Sequence, residues 1–124
     1  MAYFVTLNDV RAYKIAFHLS NDVWDAVLKW NFFARDTVGK QFVKSIDSIG
    51  ANIAEGFGRY HKKDKIKFYH YSLGSVRESL DWNEKAKCRK LLTEDQYKKF
   101  LQALKQLPLE INSFIKLTNE KLSI

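Results

Sequence analysis

This chain carries three histidines, His18, His61 and His70, the side chains best suited to bind a metal ion or to move a proton. A two-metal site inside a helical bundle needs a glutamate three residues before a histidine, so that both side chains project from one face of the helix. Isoleucine, glycine and lysine stand at those positions instead. The His-Glu-x-x-His and paired-cysteine spacings of zinc sites do not occur either. We therefore expect no metal ion and no cofactor.

Two other fragments of catalytic or phosphate-binding motifs are incomplete. Cys88 lies between Lys87 and Arg89, a basic setting of the kind in which cysteine thiols become reactive. Gly39-Lys40 resembles the end of a phosphate-binding loop, but the earlier glycine of Gly-x-x-x-x-Gly-Lys is missing. Because a lone cysteine and a single glycine-lysine pair are weak signals, the sequence predicts that the protein is not an enzyme.

Asn52 and Glu55 stand out as polar residues on one predicted helix, and with His70 they are the only basis for an enzymatic alternative. Gly50 and Ala54 run beside them at four-residue spacing, and small residues let two helices approach closely. Polar groups beside so close a contact must find hydrogen-bond partners, so we favour a structural network or subunit contact over a solvated face. The residues assigned to this contact, including a similar patch on the next helix, are Ser48, Gly50, Asn52, Ala54, Glu55, Gly56, Gly74, Ser75 and Glu78.

The positive charge of the chain is concentrated in one segment. The formal net charge is +7; residues 59–105 hold 13 lysines and arginines against 6 acids, and the remainder is balanced. Such a segment is an electrostatic footprint for a polyanion, although basic helix ends also serve solubility. Tyr60 and His61 interleave with the cations, which suits single-stranded or structured RNA. The candidate nucleic-acid-binding residues are Arg59, Lys62, Lys63, Lys65, Lys67, Arg77, Lys85, Lys87, Arg89 and Lys90.

The elements that must position these residues are predicted to be helices. The first begins at Thr6–Asn8 with Asn8 as its cap and runs to about Phe32, with a soft spot at residues 20–22. A short turn, Ala34–Thr37, leads to the second, which Gly56 and Gly58 end by taking a left-handed conformation. The apolar positions of the first helix are Val10, Tyr13, Phe17, Trp24, Val27 and Leu28; those of the second are Val38, Phe42, Ile46, Ile49, Ile53 and Phe57.

Two further helices follow the basic corner. The third is predicted from about Lys62 to Lys90, and the fourth begins at a capping box formed by Thr93 and Gln96. Pro108 lacks an N–H, so it should kink or split the fourth helix. Four helical patterns joined by short turns predict one all-α domain over residues 1–124, an antiparallel up-down-up-down four-helix bundle.

Composition sets the remaining bounds. With 124 residues, 46% of them hydrophobic, the chain suffices for one core, and one cysteine forms no disulfide within the chain. The N-terminus does not resemble a signal peptide, and no apolar run approaches the ~20 residues that span a bilayer. We expect a cytoplasmic protein with no membrane role.

The run Asn52-Ile53-Ala54-Glu55-Gly56-Phe57-Gly58-Arg59, with Ser48 before it, resembles the small bundle proteins encoded in intervening sequences of bacterial 23S rRNA genes, also called S23 ribosomal proteins. Phe68, Gly74-Ser75 and Glu78 downstream and Gln41 upstream support the resemblance, which covers most of the chain.

The resemblance implies a homopentameric, barrel-like ring and kinship with the accessory variability protein of diversity-generating retroelements, a basic pentamer that partners a reverse transcriptase and binds nucleic acid. It also implies that Arg59 and the lysines after it contact nucleic acid. The short link Ala34–Thr37 departs from the pattern of this family. Lys44 stands where the family often has an arginine pair, and Asp47 adds an acid, so the second helix is less basic than in the family. We therefore expect the nucleic-acid-binding surface on the third helix.

The sequence therefore predicts a non-catalytic nucleic-acid-binding protein, with structured RNA as the favoured ligand and DNA as another, that acts as a basic homo-oligomeric ring. The alternative is a ring that recruits a protein partner, such as a reverse transcriptase, and has no nucleic-acid role.

Overall fold

The computed structural model describes residues 6–122, and it is all-α over this range, as predicted. Four long helices, α1 (Arg11–Leu28), α2 (Lys40–Phe57), α3 (Lys62–Cys88) and α4 (Glu94–Lys121), follow a 3-10 turn at Leu7–Asp9. Each helix packs against the next, and α4 returns to α1. The class and the number of helices predicted from the sequence are confirmed.

Cross-helix contacts give the directions of neighbouring helices. The Ser72 hydroxyl of α3 donates to the carbonyl of Ile49 at 2.7 Å, and the Ser79 hydroxyl donates to the Ser45 hydroxyl at 2.9 Å. Later residues of α3 thus meet earlier residues of α2. Ion pairs join Arg11 to Glu110 at 2.9 Å and Lys99 to Asp22 at 3.1 Å, so α1 and α4 are related in the same way.

The predicted apolar stripe of α2 lies at the centre of the core. Phe42, Ile46, Ile49 and Ile53 are fully buried, and Val38 is buried above them. Facing side chains from α3 and α4 complete the core: Tyr69, Val76, Phe100, Leu104, Leu107 and Ile111. Burial of this stripe is the main source of stability for α2, because apolar area removed from water contributes about 25 cal/mol per Å².

The predicted core face of α1 is wrong for its largest residues. Phe17, Trp24 and Leu28 are 50%, 51% and 49% exposed, and the buried line consists of smaller residues. The reason is the close approach of α2, where the position of a Cβ on Gly50 would lie 3.6 Å from the Cβ of Ala16. Only small side chains fit between helices at that separation, so the large ones turn outward. The buried line is Ala12, Ala16, Leu19, Val23, Ala26 and Val27.

The beginning of α1 and the link to α2 also differ from prediction. Thr6, rather than Asn8, forms a capping box with Asp9, and α1 continues without a break through residues 20–22 to end at Leu28. Residues 34–37 are helical rather than a turn: Phe32–Ala34 is α-helical and Arg35–Gly39 is π-helical, continuing into α2. The link is therefore residues 29–31, and the Asn31 side chain accepts a hydrogen bond from the Ala34 amide at 3.0 Å.

Glycine has a different role at the end of α2 from the one predicted. Gly58 has φ −80°, and among the described residues no glycine has a positive φ. Gly56 is buried, and a Cβ there would lie 2.7 Å from the Tyr69 ring and 2.8 Å from the Lys65 carbonyl oxygen. Close packing explains Gly56. The left-handed residue is Lys90, with φ 61°, where the chain turns from α3 to α4.

The start of α4 agrees with the prediction from the sequence. The Thr93–Gln96 capping box is confirmed by reciprocal hydrogen bonds of 3.0 and 3.1 Å. α3 ends at Cys88, slightly before the predicted Lys90. α4 runs through Pro108 as one helix, so it is not split there, and a kink stays a prediction.

Candidate nucleic-acid interface

The chain segment Arg59–Tyr71, here called the α2–α3 corner, contains five of the ten predicted nucleic-acid-binding residues. The Arg59 side chain already contacts two neighbouring residues. Its guanidinium pairs with Glu55 at 2.8 Å and lies 4.6 Å from the centre of the Phe68 ring. Glu55 is exposed and takes part in this surface pair, which is worth at most about 1 kcal/mol. Neither side chain belongs to a buried network.

Two lysines of the corner point inward. The Lys62 ammonium donates to the Leu122 carbonyl at 3.0 Å, and the Lys65 ammonium donates to the Phe57 carbonyl at 2.7 Å. These carbonyls lie at the C-terminal ends of α4 and α2, where unpaired acceptors and the helix dipole favour a cation. Burial lowers the pKa of Lys65. Lys62 and Lys65 therefore fasten the ends of two helices, a use that a charge count cannot show.

Lys63 and Lys67 remain available at the corner. Both side chains are exposed, and neither takes part in an ion pair or hydrogen bond within residues 6–122. Exposed aromatic rings lie beside them. Tyr60 contacts His61 and Tyr71 contacts Phe68, each pair nearly perpendicular with ring centres 5.1 and 5.3 Å apart. The corner thus offers free cations and accessible rings together.

The second basic run, residues 85–90, is built differently. The Lys85 ammonium pairs with Asp81 at 2.6 Å and lies 4.6 Å from the Trp82 ring. Lys87 lies 4.2 Å from the ring of Tyr97, which is buried. Arg89 and Lys90 are exposed and have no side-chain partner in the described range. The same is true of Arg77, which lies earlier on α3. This end of α3 offers cations but buries its tyrosine.

Tyr97 is held in place by the helix that precedes it. Its hydroxyl donates a short hydrogen bond to the Glu84 carboxylate. That bond is the main cause of a raised pKa of Tyr97, and burial adds to it. The phenol is therefore kept protonated as a structural donor, and its ring is covered by the Lys87 side chain.

Within one chain, Asn52 and Ser48 do not bond to a second helix, and a contact of these residues between subunits stays a prediction. The Asn52 amide donates to the Ser48 carbonyl at 2.9 Å, and the Ser48 hydroxyl donates to the Lys44 carbonyl at 2.8 Å, so both bonds return to α2 itself. Buried polar contact between α2 and α3 is made by Ser45, Ser72 and Ser79 instead.

The α3 patch predicted beside Asn52 is not a close contact within one chain. A Cβ on Gly74 would meet nothing within 4 Å, and Glu78 accepts a hydrogen bond from Trp82 at 3.2 Å on its own helix. A role for Gly74, Ser75 and Glu78 between subunits stays a prediction.

An apolar surface between α1 and the start of α2 was missed by the sequence analysis. A groove of about 380 Å³ is lined by Trp24, Val27, Leu28, Phe32 and Val43, and the charged residues Arg35, Asp36, Lys40 and Lys44 also line it. We call it the α1–α2 groove. The Phe32 ring is 73% exposed.

The same side of the bundle carries a second, smaller depression of about 240 Å³. It is formed by Tyr13 and Phe17 of α1 over the small residues Gly50, Ala51 and Ala54 of α2. The small residues that the sequence analysis assigned to a contact thus face α1 and the solvent beside it. Ser20 and Asp47 also line this depression. We call the α1–α2 groove and this depression together the apolar seam.

Residues 6–122 contain neither a metal-ion cluster nor a membrane-spanning helix. No group of three histidine, cysteine, aspartate or glutamate side chains comes close enough to hold a metal ion in this range. None of the helices described combines the length and apolar character that crossing a bilayer requires.

The fold and surface define a class, a small four-helix bundle whose distinctive features are the cations around α3 and an apolar seam beside α1. Within that class, the model of the 23S rRNA-intervening sequence protein family matches residues 8–113. The chain belongs to this family, which confirms the resemblance seen in the Asn52–Arg59 run.

A solved structure shares the fold. It is described as a protein with unknown function from the S23 ribosomal protein family of Bacteroides thetaiotaomicron VPI-5482, and it is 21% identical to this chain with a TM-score of 0.75. The alignment covers 85% of this chain and 98% of the other. At this identity the likeness concerns the fold. No curated protein matches the chain in sequence.

Proposed function

We propose that the protein is a non-catalytic, cytoplasmic nucleic-acid-binding protein that acts as a basic homo-oligomeric ring, a pentamer being favoured, and that its ligand is structured RNA. The observation that carries the proposal is the concentration of unpaired cations along α3. Five exposed cations without an acidic partner in the described range lie on α3 or directly after it: Lys63, Lys67, Arg77, Arg89 and Lys90. Others, such as Lys44, Lys105 and Lys116, are spread over the remaining helices. The five coincide with the segment that holds the whole excess of positive charge.

The ring is supported by the apolar seam of α1 and α2. A monomer that exposes Trp24, Leu28 and Phe32 side by side leaves a contiguous apolar patch in water, and such patches usually mark interaction sites. A second copy packed on the seam would cover it. Copies arranged in a ring would repeat the α3 cations, and affinity for a polyanion grows with the number of phosphates neutralised.

Fluorescence anisotropy of the purified protein with a labelled RNA hairpin tests the proposal. Since several phosphate contacts are involved, affinity should fall by orders of magnitude between ~50 and ~200 mM salt. Absence of binding at the lower salt concentration would contradict it.

Light scattering tests the ring separately. We expect a mass five times the 14.6 kDa of one chain. Trp24→Glu should reduce that mass by placing a charge in the seam, whereas Lys105→Glu on the exposed face of α4 should leave it unchanged. A wild-type mass of 14.6 kDa would overturn the ring.

A second function, recruitment of a protein partner such as a reverse transcriptase, is favoured by the same groove. Its apolar lining, with Arg35 and Lys44 beside it, fits an amphipathic helix with acidic flanks, while Lys40 is paired with Asp36. Capture of a protein partner that persists as salt rises, by a protein that binds no RNA, would favour this function over the first.

A further inference from the structure

The structure assigns to the α2–α3 corner a stacking site for unpaired bases, in which Tyr60 and Tyr71 hold bases and Lys63 and Lys67 hold the adjoining phosphates. The inference rests on the proposed function and narrows its ligand to single-stranded stretches, such as the loop of a hairpin, rather than the stem. The carrying observation is the juxtaposition of two accessible tyrosine rings with two unpaired cations.

Both rings are positioned to receive a base. Tyr60 is 74% exposed and Tyr71 is 49% exposed. The Tyr60–His61 and Phe68–Tyr71 pairs have interplanar angles of 80° and 84°. A perpendicular contact leaves at least one face of each ring uncovered by its partner, and stacking requires such a face.

The segment that carries the rings is also held in place, which reduces the entropy lost on binding. Phe68, the partner of Tyr71, lies under the Arg59 guanidinium, which is itself held by Glu55. Lys65 fixes the end of α2 by its bond to Phe57. The segment that carries Tyr60 is therefore tied to helices on both sides, and a pre-positioned ring binds a base at lower cost than a mobile one.

The cations stand in line with the second ring. Lys63, Lys67 and Tyr71 follow one another at four-residue intervals on the exposed side of α3, about 6 Å apart along the helix axis. A strand that follows this line meets two ammonium groups and then a ring, and Tyr60 lies just before the helix that carries them. Phosphates require charge and unstacked bases require flat surfaces, and this segment supplies both.

Duplex RNA could not use this arrangement fully. Its bases are stacked on one another, so a protein meets mainly phosphates and 2′-hydroxyls. Lys63 and Lys67 would still attract a duplex, whereas Tyr60 and Tyr71 would have nothing to stack against. The tyrosines should therefore discriminate between the two forms.

The test compares a labelled adenine-rich 12-nucleotide RNA strand with a 12-base-pair RNA duplex, by anisotropy, for the wild type, four tyrosine variants and one control variant. Tyr60→Ala and Tyr71→Ala should each weaken single-strand binding by about fivefold to 150-fold, the range measured for loss of one stacked base. Their slope of affinity against salt should equal that of the wild type, because no phosphate contact is lost. Tyr60→Phe and Tyr71→Phe keep the ring and should bind normally.

Leu109→Ala is the control, since Leu109 is also a large apolar side chain, 70% exposed, but lies in the middle of α4 and outside the corner. It should bind both probes as the wild type does. The inference is overturned if the alanine variants at Tyr60 and Tyr71 bind the strand normally, or if they lose strand and duplex equally. A wild type that binds neither probe would instead overturn the proposed function itself.

Discussion

The two basic runs of α3 are alike in composition but differ in what they leave accessible. At the α2–α3 corner, Lys62 and Lys65 turn inward to helix-end carbonyls, while Lys63 and Lys67 stay free beside exposed tyrosines. At the α3–α4 end Lys85 and Lys87 lie against rings, and Tyr97 is buried under Lys87. Charge alone would rank the two runs as equals. Exposed tyrosines on the same segment as free cations make the corner the stronger candidate for base recognition.

The largest expected effect concerns the packing that holds the corner together. Gly56→Ala should lower the free energy of unfolding by about 1–3 kcal/mol, because the new Cβ would overlap the Tyr69 ring and the Lys65 carbonyl. Gly74→Ala is the matched control on α3, where a Cβ meets nothing within 4 Å. Alanine there should be neutral or stabilise by up to about 1 kcal/mol through helix propensity. Urea denaturation of both variants measures the difference, and equal stabilities would show that the corner is not tightly packed.

Removing the two free cations from each basic run tests whether the runs differ in the ligand that they bind. Lys63→Ala with Lys67→Ala, and Arg89→Ala with Lys90→Ala, each remove two phosphate contacts, which is about 25-fold in affinity at 0.1 M salt for a slope of 0.7 per contact. On heparin, which has no bases, the two double variants should behave alike. On single-stranded RNA the corner variant should lose more, since its cations also place bases on the tyrosines. If the two double variants lose equal affinity for heparin and equal affinity for single-stranded RNA, the two runs do not differ in base recognition.

A smaller effect is expected from the lysine that fastens α2. Lys65→Met keeps the apolar stem but removes the hydrogen bond to the Phe57 carbonyl, so we expect a loss of about 1 kcal/mol. Lys63→Met, two residues earlier and exposed, should leave stability unchanged. Thermal unfolding distinguishes them, and the assignment of Lys65 to a structural role fails if both variants melt together with the wild type.

The smallest effect concerns Tyr97 and depends on pH. Because the pKa of Tyr97 is raised in the folded protein, its contribution to stability is complete below the ordinary tyrosine value of 10.0 and is lost as the pH rises through the folded pKa. Tyr97→Phe should lower the stability near pH 8 by loss of the bond to Glu84. Above pH 10 the difference from the wild type should shrink, and a constant difference up to pH 11 would contradict the proposed linkage.

Several elements could be predicted from the sequence because one local pattern determines them. The stripe from Val38 to Ile53 recurs at helical spacing and is buried, and the Thr93–Gln96 box needs only the residues it contains. The family followed from the Asn52–Arg59 run.

Other elements depend on neighbours that the sequence does not display. α1 carries two lines at helical spacing, one aromatic and one small, and only the closeness of α2 at Gly50 selects the small line for burial. Arg35-Asp36-Thr37 has turn-like composition, yet Asn31 caps a helix that includes it. The inward use of Lys62 and Lys65 depends on where two helices end, which a count of charges cannot show.

The most direct test of the account is photo-crosslinking of a labelled RNA hairpin to the wild-type protein, followed by mass spectrometry of the modified peptides. If the corner recognises unpaired bases, loop nucleotides should attach to the peptides that contain Tyr60 and Tyr71 and not to the one that contains Tyr97. Adducts at Tyr97 or at the α1–α2 groove, with none between residues 59 and 71, would contradict it.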